Sequence, residues 1–351
     1  MAAPRSDGKA KRPTISEVAR RAGVSTGTVS RYLNGGHWVS PEASKAVTKA
    51  IRETGYVANA TARKLRTGRS GTIAFVVDEP PARFFEDPNF EALVVEVGAA
   101  LATRDQSMVV LLAGDESSAT RAESFLLTSG VDAAVTASAQ PQHHLFERLL
   151  SSGIPLVNIG SPTGLEDRIA FVAADDREGG RLMAEHLLER GARRFVVIAG
   201  PEHSPGGILR PGAFHDAIRA AAAAGVDAEV LEVRHGDYSR DSGREIAREL
   251  IAAHPRFNGL FAANDRMARG AIEALHEAGR AVPGDVLVGG FDDSAGAEDE
   301  APPLTTIRQD FTRIAVELVD ALGKQIDGGV RTNVIVPVHL VTRESTADAD
   351  V

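Results

Sequence analysis

The sequence predicts an α/β chain in two parts: a small N-terminal three-helix headpiece of helix-turn-helix type, and a larger body of two doubly wound lobes on parallel sheets. Three observations carry this. Apolar positions recur at helical spacing across a glycine turn between Thr14 and Asn34; from Thr72 apolar strand runs alternate with amphipathic helices in two successive sets; and the charge changes sign between the two regions.

Within the headpiece, Thr14 with Glu17 three residues later has the form of a capping box, and Ile15, Val18, Ala19 and Ala22 share one face of a short helix. Gly23 supplies the turn. Ser25 is placed to accept from the free N–H groups of a second helix, whose buried side is Val29 and Leu33. Two short helices across a tight glycine turn make a helix-turn-helix. Ser25, Thr26, Thr28, Ser30 and Arg31 put hydroxyls and a guanidinium at the start and outer face of the second helix, where a helix in the major groove meets base edges and phosphates. Spacing alone also fits an αα-hairpin with a solvated polar face.

The following residues add a third helix. Ser40-Pro41-Glu42 reads as an N-cap with proline at the first helical position, and Ala43, Val47 and Ile51 carry an apolar stripe as far as Gly55. Residues Asn59 to Arg66, N-A-T-A-R-K-L-R, are basic and helix-compatible, yet too short to be stable alone. Their order is expected to depend on a partner. Residues 1–13 read as a disordered basic tail, and Thr67 to Gly71 as a linker.

Charge and composition narrow the function classes. Residues 1–70 hold 14 Lys and Arg against 4 Asp and Glu, a net +10, and the remainder carries −19, which together give the chain its −9. The basic end is therefore the nucleic-acid end, and the acidic body repels phosphate. The 351 residues include no cysteine, which excludes disulfides, thiolate catalysis and cysteine-based zinc sites. No apolar h-region opens the chain and no apolar run is long enough to span a bilayer, so a cytoplasmic protein without a membrane partner is expected.

In the body, buried parallel strands are predicted at 73–77, 108–112, 133–136 and 155–159, and again at 194–200, 229–233, 259–263 and 286–290. Helices are predicted around Phe90 to Leu101, then at 177–190, 210–224, 239–253, 264–278 and 310–324. Open sheets of this kind bind ligands beyond the carboxyl ends of their strands, and two lobes add a cleft between them. Asn158, Asn264 and Asp292 stand at such strand ends, although each could equally form a turn or a cap. Asp175-Asp176 reads as a helix cap rather than an acidic pair. The sequence holds no P-loop, zincin helix or G-x-S-x-G elbow, and His143-His144 lies in a polar stretch, so neither an enzyme nor a cofactor is expected.

These residues resemble the lactose-repressor (LacI/GalR) family of bacterial transcription regulators. In the headpiece the resemblance is carried by V-S-T-G-T-V-S-R-Y-L-N at 24–34, V-S-P-E at 39–42, G-Y-V-A-N-A at 55–60 and L-R-T-G at 65–68. In the body it is carried by A-G-P at 199–201 followed by Arg210, A-N-D-R-M-A at 263–268, G-G-F-D-D at 289–293 and P-P-L-T-T-I-R-Q-D-F at 302–311. It implies a disordered tail over 1–13, a DNA-binding headpiece over 14–57, a hinge helix and linker over 58–70, a periplasmic-binding-protein-like effector and dimerisation domain over 71–345, and a tail over 346–351. It further implies that Leu65 wedges the minor groove at the operator centre, at about a few kcal/mol of unstacking. Thr14, Gly27, Asn34, Ser40, Asn59 and Ala62 complete the DNA-contacting set that it implies.

The implied ligand is a sugar or related polyol. Positions matching Arg210, Asn264 and Asp292 bind ligand hydroxyls in sugar-binding members, the position matching Tyr238 offers an aromatic face, and Asn158 matches a further polar contact. That chemistry is coherent, because a guanidinium and a carboxylate pair with vicinal hydroxyls, an amide both donates and accepts, and a ring covers a sugar's apolar face. Two departures stand out. Gly27 occupies a base-reading position with no side chain, so it reads nothing there or lets the backbone approach closely. The stretch P-P-A-R-F-F-E-D-P-N-F at 80–90 is longer than the family's usual loop; it reads first as a surface loop, with Phe85 and Asp87, beside Arg83, as candidate cleft residues. The expected protein is a repressor that binds a pseudo-palindromic operator in double-stranded DNA as a homodimer, under allosteric control by the effector. The chain ends without leucine heptads, which favours a dimer over a tail-made tetramer.

Overall fold

The computed structural model describes residues 13–33, 39–56, 69–137, 145–299 and 301–347. The chain divides into two compact units, Met1–Ser70 and Gly71–Val351. No helix among the described residues is long and apolar enough to cross a membrane.

The first unit holds helices Ile15–Ala22 (α1), Thr26–Leu33 (α2) and Pro41–Thr54 (α3). Each begins at the residue whose side chain can cap it. Thr14 Oγ1 accepts from the Glu17 N–H at 3.3 Å, Ser25 Oγ from the Thr28 N–H at 3.1 Å, and Ser40 Oγ from the Ala43 N–H at 3.2 Å. Gly23 and Gly55 close α1 and α3 in the left-handed conformation that glycine adopts without strain. Val18, Ala19, Val29, Val47 and Ala50 form the buried centre. The Tyr32 hydroxyl meets Thr48 Oγ1 at 2.6 Å, which ties α2 to α3.

The second unit contains two parallel sheets. Strands Thr72–Val77 (β1), Ser107–Leu112 (β2), Ala133–Ala137 (β3), Leu156–Ile159 (β4), Ala170–Ala174 (β5) and Val334–Val336 (β11) form a six-stranded sheet in the order β11-β5-β4-β3-β1-β2. Strands Arg194–Ala199 (β6), Glu229–His235 (β7), Gly259–Ala262 (β8) and Leu287–Gly289 (β9) form the other, in the order β7-β6-β8-β9. Strands Thr306–Arg308 (β10) and His339–Val341 (β12) pair antiparallel beside them. The chain leaves the first sheet after β5, and returns to it with helix Phe311–Ile326 and β11. One apolar cluster runs from Ile73 and Phe75 through Met183 to Phe195, Phe214 and Phe261, so the two lobes share a continuous core.

Several elements differ from the sequence prediction. Strand β5 and helices Glu116–Ser129 and Leu145–Ser152 are not predicted, although the apolar run from Ile169 to Ala174 and the helical spacing of Phe146, Leu149 and Leu150 are present in the sequence. The helix expected at 210–224 begins at Pro205, where Ser204 Oγ accepts from the Gly207 N–H and the two glycines that mask the helical pattern fill its first turn. The stretch expected as a long loop at 80–90 holds a short helix, Pro81–Glu86, and the start of the next, Pro88–Ala102. Proline at the first helical position starts each of them.

Helices Arg240–Ala253 and Asp265–Glu277 approach through glycine. A β-carbon on Gly270 would overlap the Arg240 carbonyl oxygen, and one on Gly243 would overlap the Met267 backbone. Gly270→Val gains only a few tenths of a kcal/mol in helix propensity, whereas overpacking against backbone costs about 1–3 kcal/mol, so the packing effect wins. Urea denaturation should report a loss of that size; an unchanged midpoint would mean that the two helices separate at little cost.

Candidate functional site

Two regions gather the residues singled out above. In the headpiece, Ser25, Thr26 and Gly27 are exposed at the start of α2, and Thr28 and Ser30 are half-buried. Ser25 Oγ lies 2.9 Å from Thr28 Oγ1, and the exposed Arg31 turns its Nε back to the Gly27 carbonyl at 3.2 Å. Donors and acceptors that would face a duplex are thus partly satisfied by their own helix. Nothing local demands glycine at 27, since a β-carbon there would meet only Ser25 Oγ, at 3.6 Å. Thr14 and Ser40 are exposed and serve as caps. Asn34, Asn59, Ala62 and Leu65 lie outside the described residues, as do His143-His144 and the expected hinge helix.

The second region is a cleft of about 580 Å3 between the lobes of the body, lined by residues of both. Its centre is Arg210. The buried guanidinium donates from Nε to Asp176 Oδ1 at 2.7 Å, and from Nη1 to Asp292 Oδ1 at 3.1 Å and the Ala263 carbonyl at 2.7 Å. It also lies 3.7 Å from the centre of the Phe291 ring. Burial opposes its charge, and the carboxylates of Asp176 and Asp292 more than reverse that, holding its pKa above the ordinary arginine value.

Asp292 is the second pole of the site. Its backbone takes φ 115°, a strained conformation for a residue with a side chain, which turns the carboxylate into the cleft. There it also accepts from Gln309 Nε2 and from Asn89 Nδ2, each at 2.7 Å. Burial raises its pKa to about 7, with Arg210 opposing and the charges of Asp265 and Asp87 adding to the shift. Asp265 is raised by burial in the same way, against hydrogen bonds from Thr306 and Ser294.

The remaining expected residues divide. Tyr238 stands in the cleft with φ 69°, its hydroxyl 2.8 Å from Ser204 Oγ and the Arg83 guanidinium 5.1 Å from its ring centre. Gly200 of A-G-P makes room for it, because a β-carbon there would strike the ring. Asn264 lines the cleft as the N-cap of its helix: its Oδ1 accepts from the Met267 N–H at 3.0 Å and its Nδ2 donates to the Tyr238 carbonyl at 3.1 Å. Asn158 lines it too, but accepts from Thr136 and donates to the Ile159 and Gly160 carbonyls. Both amides therefore shape the wall before any ligand arrives.

Phe85 requires correction. It is 77% exposed, packs edge-on against Phe84 and does not line the cleft. The short helix turns Phe84 toward Phe90 and sends Arg83 to the cleft instead. Asp87 lines the cleft and is buried, with Oδ1 accepting from the Asn89 N–H at 3.0 Å. The sequence reading missed Asp176, Gln309, Asn89 and Glu79. Of the Asp175-Asp176 pair, Asp175 alone caps the helix, accepting from the Glu178 N–H at 3.0 Å, which leaves its neighbour for Arg210.

Two outcomes follow from this electrostatics. Arg210→Ala leaves two buried carboxylates without their cation and should lower the unfolding free energy by about 3–5 kcal/mol; a variant as stable as the wild type would mean that water replaces the guanidinium freely. Folded Asp292 keeps its proton to higher pH than the unfolded chain, whose value is near 3.8, so its contribution is complete below that pH and lost as pH rises toward about 7. Stability measured from pH 4 to 8 should therefore fall for the wild type relative to Asp292→Asn. A constant difference across that range would show that Asp292 is ionised throughout.

Comparison with known proteins meets this geometry from both ends. Residues 14–59 match the family described as bacterial regulatory proteins, lacI family, and residues 184–346 match the periplasmic binding protein-like domain. The chain is 37% identical over 338 residues to the HTH-type transcriptional regulator CelR of Thermobifida fusca, covering 95% of this chain and 98% of that one. Among solved structures it resembles a CelR-cellobiose complex, at 35% identity and a TM-score of 0.75, over 95% of this chain and 100% of that one. It also resembles the lac repressor dimer bound to operator and the anti-inducer ONPF, at 27% identity and a TM-score of 0.81, over 96% and 99%. With a capped helix-turn-helix at one end and an Asp-Arg-Asp cleft in a two-lobed body, the chain belongs to the LacI family of bacterial transcriptional regulators.

Proposed function

We propose that this regulator is a repressor that binds a two-fold symmetric operator as a homodimer in the cytoplasm, and that a neutral sugar in the cleft controls its affinity for DNA. The observation that carries the effector class is the Asp176-Arg210-Asp292 arrangement beside Tyr238, which offers hydroxyl partners of both polarities next to an aromatic face. The charge of the wall narrows the class. Glu79, Asp87, Glu147, Asp176, Glu202 and Asp292 line the cleft against only Arg83 and Arg210, so an acidic or phosphorylated sugar would meet excess negative charge. A volume of about 580 Å3 lies within the usual range for small-ligand sites and leaves room for more than one sugar ring. A similar protein has been solved with cellobiose, which makes that disaccharide the first ligand to try.

In this reading the exposed hydroxyls of α2 and Arg31 contact the major groove, while Leu65 of each subunit wedges the operator centre. The role is recognition without catalysis, as in the related regulators. Sugar bound between the lobes changes their closure and so biases the DNA-binding form.

The test begins with selection of a duplex from a random library by the full-length protein, followed by anisotropy titration of that duplex with and without ligand. Cellobiose should change duplex affinity by about 5–150-fold, corresponding to about 1–3 kcal/mol of coupling, and the acid formed by oxidising its reducing end should not. A selected pool without symmetry would overturn the dimeric reading. Equal DNA affinity with and without saturating neutral disaccharides would overturn the effector reading.

A further inference from the structure

The effector cleft does not end at the chamber already described. A second chamber of about 390 Å3 adjoins it, and Ser161, Thr163, Asp176, Pro205 and Ile208 line both. These shared residues come from the loop after β4, from the crossing after β5 and from the first turn of helix Pro205–Ala223. The two chambers are therefore neighbours that share a wall built from both lobes. Arg210, Asp292, Tyr238 and Asn264 line only the first chamber, and of the arrangement that defines the effector site Asp176 alone reaches the second.

The chemistry of the second chamber repeats that of the first. Phe171, Leu209 and Ile335 give it an apolar surface, with Ile335 left 51% exposed. Around that surface stand Glu166 and Arg177, both exposed, whose side chains form no hydrogen bond or ion pair among the described residues. A carboxylate and a guanidinium without partners, set beside an aromatic ring and branched aliphatics, match the two faces of a pyranose. Its C–H face packs on the apolar surface, while its hydroxyls donate to the one and accept from the other.

We propose that the second chamber is a subsite for further sugar units, so that the effector class extends to linear oligosaccharides of three or more units. This rests on the neutral-sugar reading of the main cleft. The first chamber holds the units that engage Arg210 and Asp292, and Arg177 and Glu166 bind the hydroxyls of the units that extend past Asp176.

Calorimetric titration of the full-length protein with cellobiose, cellotriose and cellotetraose tests this. At least one longer sugar should bind about tenfold or more tighter than cellobiose, as added hydrogen bonds to charged groups imply. The double substitution Glu166→Ala with Arg177→Ala, both on exposed side chains, should remove that advantage and leave cellobiose affinity unchanged. Longer sugars that bind no tighter than cellobiose, or a variant that loses both ligands alike, would overturn the second subsite while the disaccharide reading stands. Failure of all three sugars to bind would overturn both.

Discussion

The body depends on one buried cation. Arg210 sits in an apolar setting against Phe291, where an unpaired charge would be prohibitive, and two carboxylates from separate parts of the chain make its burial tolerable. Asp176 stands where the chain leaves the first lobe, and Asp292 just past the last strand of the second sheet. The guanidinium therefore holds the crossing and the floor of the cleft in one hydrogen-bonded group. Such a pair contributes little net stability compared with an apolar replacement, because desolvation offsets most of the attraction. Its consequence is specificity, since the cleft wall is polar, preorganised and complementary to hydroxyls.

Closure of the cleft is tied to the same group through one short segment. Asn89 reaches Asp292 from the first lobe at 2.7 Å, Arg83 lies over Tyr238 of the second, and Glu86 meets Arg266 at 3.3 Å. All three contacts come from residues 83–89, the end of the short helix Pro81–Glu86 and the start of the next. The Glu86 pair is largely exposed on one side and weak for that reason, whereas the Asn89 bond ends on a buried carboxylate. A ligand that takes up hydroxyl contacts at Asp292 would compete with or reinforce that bond, and so alter the balance between lobe positions.

The headpiece works under a different constraint. Its core is small, so caps and a few fully buried valines carry much of its definition. The polar face of α2 is not bare in the free protein, because Ser25 and Thr28 bond to each other and Arg31 bonds to Gly27. Under the proposed duplex contact these local bonds would be exchanged for new ones, with affinity coming largely from phosphate attraction and discrimination from the few side chains that reach base edges.

What the sequence determined by itself was the headpiece and most of the strands of the body. Capping residues at Thr14, Ser25 and Ser40, glycines at 23 and 55 and apolar periodicity set the headpiece helices, and the central strands β1, β3, β6 and β8 stand out because fully buried parallel strands are continuously apolar. Arg210, Tyr238, Asn264 and Asp292 were legible as cleft residues, since strand ends and family-like motifs mark such positions, and Asp87 as a candidate from the unusual stretch at 80–90. The tertiary structure alone decided which of these residues meet. Arg210 pairs with carboxylates 34 and 82 residues away, so neither Asp176's role nor Asn89's could be read from spacing. It also decided the side of a single helical turn, with Arg83 facing the cleft and Phe85 facing solvent, because a helix of six residues has no periodicity long enough to reveal its buried face.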